Sequence, residues 1–599
     1  MLVVVEGRAG TCQDCDGALS VEKTWVRGGV TMAHGRARIH QTVRRCMRCH
    51  RRYGAEDLAS TFPSRSTFGY DVIVRVGLER FVHHRQRAEI RVALAAEGAE
   101  VSEAEISVLG QRFVGYLEAL HQARAAELRA ALRADGGWPM HIDATGEDGR
   151  GTLFVVYAGW RCWALGAWKL PTERADAMLP RLLEVAVRFG DPCAIMRDLG
   201  RAVTEAAATF VAQRKLKIPV LACHLHFLRD IGKDLMRESH DQMSASMRRF
   251  KVRARLGALA RKLGRSLDTE LAEARRELLE WQRRSGHDHR LPNGRAGLAV
   301  VRALAQWTLD FASDGFDQGF PFDVPMLALY DRSREAARAI DAFLRKPPRD
   351  LEVRGTCEQL REILRPVESE VPFELWASRL RARRALFQQL REALRLDAKP
   401  TGPTSHSPGR ARQDDAEPID QIRLAVEKLE ASLGLARPAR GPAKYARDGI
   451  DIVLTHLKRH GPALWGHHLV LHDGGTRLVA RTNNALETFF RDIKHGERRR
   501  SGRKVLTQDL EHMPPAAVLA TNLSHQDYVQ ILCGSLDALP QAFAQLDALG
   551  HGPASLADAR AADADVMTAS LPTADKLLVR NAEMFGRVAA AADSRAPRR

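Results

Sequence analysis

The chain has 599 residues, 45% of them hydrophobic and 28% charged, which supports a sizeable core and excludes an integral membrane protein on bulk composition. At ~100–200 residues per domain the length predicts about three to five modules. The formal net charge of +17 calls for a polyanionic partner, most commonly nucleic acid. The apolar start Leu2 to Val5 is broken by Glu6 and Arg8, too short for the ~7–15-residue core of a signal peptide. No stretch approaches the ~18–20 apolar residues of a membrane helix, so a cytoplasmic protein with no membrane contact is expected. In that compartment nine cysteines read as metal ligands or free thiols before they read as disulfides.

The first module is expected over residues 1–55. Cys12 and Cys15 form one C-x-x-C, Cys46 and Cys49 a second, and 30 residues separate the pairs. Each pair can fold into a tight knuckle, and together they offer four thiolates to one tetrahedral Zn²⁺. The long gap suits a zinc ribbon with a hairpin between its knuckles, its strands at Val21 to Val30 and Arg38 to Val43. Seven arginines fall between Arg36 and Arg52 with no acid among them. Arg44 and Arg45 beside the second knuckle are candidate phosphate contacts.

Residues 66–135 have helical periodicity. Arg85 to Ala96 places Ile90 and Leu94 on one face, and Gly98 breaks it. Ser102 with Glu105 then reads as a capping box opening a second helix whose face is Ile106, Leu109, Phe113 and Leu117. Helix, glycine turn and capped helix is the pattern of a DNA-binding helix-turn-helix, and also of a plain helical hairpin.

Residues 138–235 alternate strands and helices. Met140 to Thr145, Thr152 to Gly159 and Cys162 to Ala167 read as an antiparallel meander. A helix within Arg174 to Phe189 follows, kinked or delayed by Pro180. Cys193 to Asp198 is a fourth strand, Val203 to Arg214 a helix, and Ile218 to Cys223 a fifth strand. Asp143 and Asp198 are expected at the ends of the first and fourth strands. Two carboxylates brought together there repel each other unless a hard divalent cation, Mg²⁺ or Mn²⁺, lies between them.

A long helical insertion is expected over 236–470. Arg248 to Arg265 carries eight basic residues and no acid, a second candidate DNA contact. The Pro-, Gly- and Ser-rich stretch at 396–418 reads as a flexible linker. Within 471–530, Arg481 to Arg491 reads as a helix capped by Thr482 or Asn483, with Leu486, Phe489 and Phe490 on its apolar face and Glu487 beside it. The basic residues Arg491, Lys494, Arg498, Arg499, Arg500, Arg503 and Lys504 follow, with only Asp492 and Glu497 among them, a candidate grip on DNA backbone. Residues 531–599 are Ala- and Leu-rich with a basic end.

HIDATG around Asp143, RDLG around Asp198 and TNNALETFFRDIKHGERRRSGR around Glu487 resemble the three acidic segments of bacterial insertion-sequence transposases of the DDE type. Cys223 and His226 resemble the C-x-x-H that mutator-like and related members carry after the fifth strand, with a helical insertion before the Glu. The resemblance covers roughly 138–235 and 470–510, and more weakly the N-terminal modules. It implies an α/β fold, an RNase H-like mixed-sheet core interrupted by the helical insertion. It implies Mg²⁺ or Mn²⁺ on Asp143, Asp198 and Glu487, double-stranded DNA as transposon ends and target, and a homodimer or larger assembly. Cys223 and His226 would close a strand-to-helix junction by hydrogen bonding in preference to holding a second zinc, with His224 as a surface contact. A related nuclease or resolvase, and a DNA-binding regulator without catalysis, are the alternative readings.

Overall fold

The computed structural model describes residues 2–5, 10–54, 56–147, 150–267, 276, 280, 291–315, 318–396, 419–439, 444–471 and 474–553. The chain divides into two compact units. One comprises Met1–Cys193, Glu205–Lys215 and Phe489–Arg599, the other Ala194–Thr204 and Leu216–Thr488.

The first unit opens with a sheet of β1 (Leu2–Val5), β2 (Leu19–Thr31), β3 (Gly35–Cys46) and β4 (Arg52–Tyr53). β2 and β3 form the predicted hairpin, longer than the sequence pattern outlined, with register from Leu19↔Cys46 to Thr31↔Gly35. Gly35 takes a left-handed φ of 58° at the turn. β1 runs parallel to β3, a pairing that no short-range pattern predicts. The hairpin is anchored where Ile39 packs on Leu58 and Phe62 of the segment around helix α1 (Glu56–Thr61).

Helices α2 (Tyr70–Phe81), α3 (Arg87–Ala96), α4 (Glu103–Ala123) and α5 (Ala125–Ala134) follow. The predicted faces are buried: Ile90 and Leu94 on α3, and Ile106, Leu109, Phe113 and Leu117 on α4. The capping box forms as read, with Ser102 Oγ accepting the Glu105 N–H at 3.2 Å and Glu105 Oε2 accepting the Ser102 N–H at 2.9 Å. Gly77 lets α2 approach α4 closely, since a Cβ there would meet the Phe113 ring at 1.9 Å. The helix Leu539–Ala548 closes the bundle, stacking Phe543 on Tyr116 with ring centroids 5.0 Å apart.

Strands β5 (Pro139–Glu147), β6 (Arg150–Ala158) and β7 (Trp163–Lys169) make the antiparallel meander. Helix α6 (Ala175–Phe189) starts five residues before Pro180 and is not delayed by it. β8 (Ala194–Arg197) and β9 (Val220–Ala222) pair in parallel, with α7 (Arg201–Arg214) between them in sequence. The mixed sheet has strand order β7-β6-β5-β8-β9.

In the second unit, helix α8 (His224–Arg249) runs unbroken across the expected 235/236 boundary. One apolar core joins Phe227 and Ile231 of α8 to Leu256 and Leu263 of α9 (Val252–Leu267) and to the helices Gly294–Leu309, Pro325–Arg345, Leu351–Ser369, Val371–Ala393, Ile419–Ala436 and Lys444–His460. These helices form a body built onto the one that follows Cys223 and carries His226. The expected linker at 396–418, beyond Leu396, and the tail after residue 553 lie outside the described residues. Among the described residues no helix is long and apolar enough to cross a membrane.

Candidate functional site

The N-terminal cysteines come together. Their sulfurs lie within 4.8 Å of one another, with Cys12 Sγ 3.3 Å from Cys49 Sγ and Cys15 Sγ 3.5 Å from Cys46 Sγ. Sulfurs bound to one tetrahedral Zn²⁺ at ~2.3 Å stand about 3.8 Å apart, whereas a disulfide needs ~2.05 Å. The two knuckles repeat one another. The carbonyls of Cys12 and Cys46 accept the N–H four residues on, from Asp16 at 2.9 Å and His50 at 3.1 Å. The N–H groups of the same cysteines donate to the carbonyls five residues on, Gly17 at 2.9 Å and Arg51 at 2.8 Å. Asp16 and His50 both adopt left-handed φ, 54° and 62°, so each loop folds its two thiols to one side.

The surroundings favour the thiolate at Cys12 and Cys46. At the other two sulfurs the backbone N–H groups are outweighed by neighbouring thiols and burial, raising Cys15 and pushing Cys49 up to about 12. The backbone N–H groups of Cys49 and Arg48 point at Cys46 Sγ from 3.4 and 3.3 Å and hold its pKa below the ordinary thiol range. The Tyr53 hydroxyl, 3.0 Å from Cys12 Sγ, brings that thiol down to about 6. A Cβ at Gly17 would sit 2.9 Å from Cys46 Sγ, so the cradle is shaped around the sulfurs. These four cysteines can hold Zn²⁺. The neighbouring arginines are less free than their sequence implies. Arg51 pairs with Asp14, Arg52 with Glu22 at 2.7 Å, and Arg36 with Glu100 at 3.7 Å. Arg44 is half-buried and Arg45 exposed on β3.

In the second unit two distant segments meet. Cys223, at the N-cap position of α8, is fully buried, and its Sγ accepts the backbone N–H of Asn483 at 3.2 Å. Burial pushes this thiol up to about 12, so it stays protonated and serves as a hydrogen-bonding joint. Asn483 opens the helix Asn484–Ser501, its carbonyl accepting the Glu487 N–H at 2.9 Å. Glu487 thereby faces His226, Oε1 to Nε2 at 3.3 Å, with Arg229 Nη1 at 3.7 Å. Burial raises the Glu487 pKa while Arg229 opposes the rise, and burial lowers His226 to about 4. His226 is thus a neutral imidazole at neutral pH, in close contact with the Glu487 carboxyl but neither ion-paired nor hydrogen-bonded to it, and Glu487 Oε1 is buried without a hydrogen-bond partner among the described residues.

His224 corrects an expectation. It is fully buried, not a surface contact, and is pushed down to about 3 by burial and by Arg481. Its Nδ1 accepts from Arg481 Nη1 at 3.3 Å, which leaves Nε2–H to donate to the Leu464 carbonyl at 2.9 Å. Its backbone N–H donates to the Arg481 carbonyl at 3.0 Å. Arg229 and Arg481 are the residues that sequence reasoning missed, and His224 is the one it misplaced. The adjacency of a second histidine within Cys-His-Leu-His was the available signal.

Asp198 follows β8 in the same unit. Its Oδ1 accepts the Gly200 N–H at 3.0 Å, and burial raises its pKa, with Arg197 opposing the rise and Asp230 of α8 adding to it. Asp143 lies in the middle of β5 in the first unit and not at its end, because pairing with β6 carries the strand on to Glu147; it is buried, with Oδ1 accepting the Ala144 N–H at 2.8 Å.

The basic run after Glu487 lies in the first unit and finds some of its acids in distant segments and others close by in sequence. Arg499 pairs with Glu89 at 2.6 Å, Arg498 with Glu147 at 3.6 Å, and Arg503 with Asp509 at 3.3 Å. Lys494 donates to the Gly146 carbonyl at 3.0 Å, and Arg491 has Asp492 at 3.8 Å. Arg500 is buried, paired with Glu497 and seated over the Phe81 ring at 4.6 Å. The basic stretch Arg248 to Arg265 spans the end of α8 and most of α9. No family model, curated protein or solved structure matches this chain.

Proposed function

We propose that the chain is a DNA strand transferase of the DDE transposase kind, cutting element ends and joining their 3′ hydroxyls to target DNA. The observation that carries this reading is the joint between Cys223-x-x-His226 and the Glu487 segment, two motifs remote in sequence that meet by a sulfur hydrogen bond and a 3.3 Å His–Glu contact. A neutral imidazole and a guanidinium stand against the Glu487 carboxyl at 3.3 and 3.7 Å. Asp143, Asp198 and Glu487 would hold Mg²⁺ or Mn²⁺ on an RNase H-like core, and the bound ions would supply charge stabilisation at the attacking and leaving oxygens. The raised pKa values of Asp198 and Glu487 fit this use, because a divalent cation offsets the desolvation that raises them. The four cysteines would hold a structural Zn²⁺, and pairing two DNA ends calls for a homodimer or larger assembly.

The test is nicking of duplex DNA carrying the gene's own flanks, with Mg²⁺ or Mn²⁺, by wild type and by Glu487→Gln. Wild type should cut at a defined position. The variant should bind equally and lose more than the about 10–100-fold that follows removal of a residue which only orients a metal ligand. Binding by both proteins with cutting by neither overturns the reading and leaves a DNA-binding regulator.

A further inference from the structure

We propose that the first unit carries a separate binding groove for an unpaired nucleic-acid strand, on the face where the β2–β3 hairpin meets α4 and the helix Leu539–Ala548. The proposal deepens the nucleic-acid reading above, but it uses none of the catalytic acids.

The groove is a cavity of about 1680 Å³ whose lining includes Arg27, Gln41, Arg65, Gln111 and Arg112. Two of its guanidiniums are pinned to one buried residue, Ser66. Arg27 Nη1 donates to the Ser66 carbonyl at 3.2 Å, and Arg112 Nη1 donates to Ser66 Oγ at 2.9 Å. Arg27 also lies over the Phe62 ring at 4.8 Å. Arg65, next in sequence to Ser66, is exposed and held at a left-handed φ of 58°. None of these three arginines has a carboxylate within ion-pair distance among the described residues. The acids lining the groove are mostly engaged. Asp71 accepts the N–H groups of Met32 and Val72, each at 2.8 Å, and Asp547 accepts the hydroxyls of Tyr70 and Tyr116, each at 2.6 Å. Asp537 is exposed. Three aspartates line the groove as well, but none of them pairs with these guanidiniums, so the three cations remain available to the phosphates of a bound strand.

The hairpin extends the groove with an aromatic platform. Trp25 is two residues from Arg27 on the same face of β2, opposite Gln41, and is 55% exposed. Lys23 Nζ stands 4.4 Å from the centroid of its ring and adds a fourth positive charge. Arginines that follow a backbone beside an exposed indole are the chemistry of single-strand binding, where phosphates meet the cations and bases stack on the ring. Gln41 and Gln111 add neutral hydrogen-bonding groups.

The test uses the full chain without divalent ions and a fluorescent oligothymidylate, with a duplex of equal length as comparison, titrated at several salt concentrations. Wild type should bind the single strand more tightly than the duplex. Arg65→Gln with Arg112→Gln should weaken binding and flatten the log–log salt dependence by about 1.4, at ~0.7 for each phosphate no longer neutralised. Trp25→Ala should weaken binding about ten-fold or more without changing the slope. All substituted side chains are exposed, and unchanged metal content and circular dichroism establish that the fold is kept. Variants that bind with wild-type affinity and slope overturn the proposal. So does a groove that binds a peptide of residues 554–565, which carries Asp558, Asp563 and Asp565 against Arg560, and not the oligonucleotide. Strand binding that survives a failure to nick DNA would sink the transferase reading alone.

Discussion

The cysteine cluster and the Glu487 joint are built in opposite ways. The four cysteines sit within 38 residues, and each pair is shaped by its own loop through hydrogen bonds that span four and five residues. The Glu487 joint depends on two segments about 260 residues apart, with the helical body of the second unit between them in sequence. A site made of local turns tolerates change elsewhere in the molecule and fails as a whole when its centre is lost. A site made of remote segments fails by degrees, as individual interactions are removed.

The largest effect is expected at the cysteines, since metal binding to such a site carries folding free energy of ~10–16 kcal/mol in small zinc modules. Native mass spectrometry should find one zinc per chain. Chelation or Cys46→Ser should remove it and speed amide exchange over 11–53, while exchange in α8 and α9 stays as it was. Gly17→Ala tests the same cradle more gently and should weaken the metal by about 10–100-fold, through a Cβ 2.9 Å from Cys46 Sγ. Full zinc retention in Cys46→Ser would show that four-thiolate coordination is the wrong account.

A smaller effect is expected at the remote joint. Cys223→Val fills similar space but leaves the buried N–H group of Asn483 without its sulfur acceptor. The cost should be about 1–3 kcal/mol in denaturant unfolding, with zinc content unchanged. An unaltered midpoint would show that the thiol is not what binds the Glu487 segment.

The smallest effect is a pH dependence, and its two contributions have opposite signs. Glu487 has a folded pKa above its ordinary value near 4.5, so it disfavours folding increasingly as pH rises through that range. Glu487→Gln should therefore unfold at a higher temperature than wild type at pH 7 and match it below about pH 4. His226 is lowered from 6.5 to about 4, so its contribution is present above 6.5 and is lost as pH falls toward 4. His226→Gln should flatten that acid limb. Equal melting temperatures of wild type and Glu487→Gln at pH 7 would mean that the carboxylate is not held under desolvation.

Much of the chain was legible from residue order alone. The hairpin between the cysteine pairs, the Ser102–Glu105 capping box, and the sequence of three strands, helix, strand, helix, strand all follow from short-range rules. Strand alternation, helical periodicity, cap chemistry and knuckle spacing each act over fewer than about 20 residues. The C-x-x-H and the Glu helix were also visible as separate motifs.

Which of these residues meet, and which charges remain available, follows from the folded arrangement. It turned His224 from an exposed side chain into a buried link between Arg481 and Leu464. It paired Arg499 with Glu89 and Arg498 with Glu147, acids some 350–410 positions away, and buried Arg500 over Phe81. It left Arg27, Arg65 and Arg112, which no sequence run marks, gathered around a groove. The physical reason is range. Secondary structure answers to neighbours in sequence, whereas burial, counter-charge and desolvation answer to neighbours in space, and those exist only once the chain has folded.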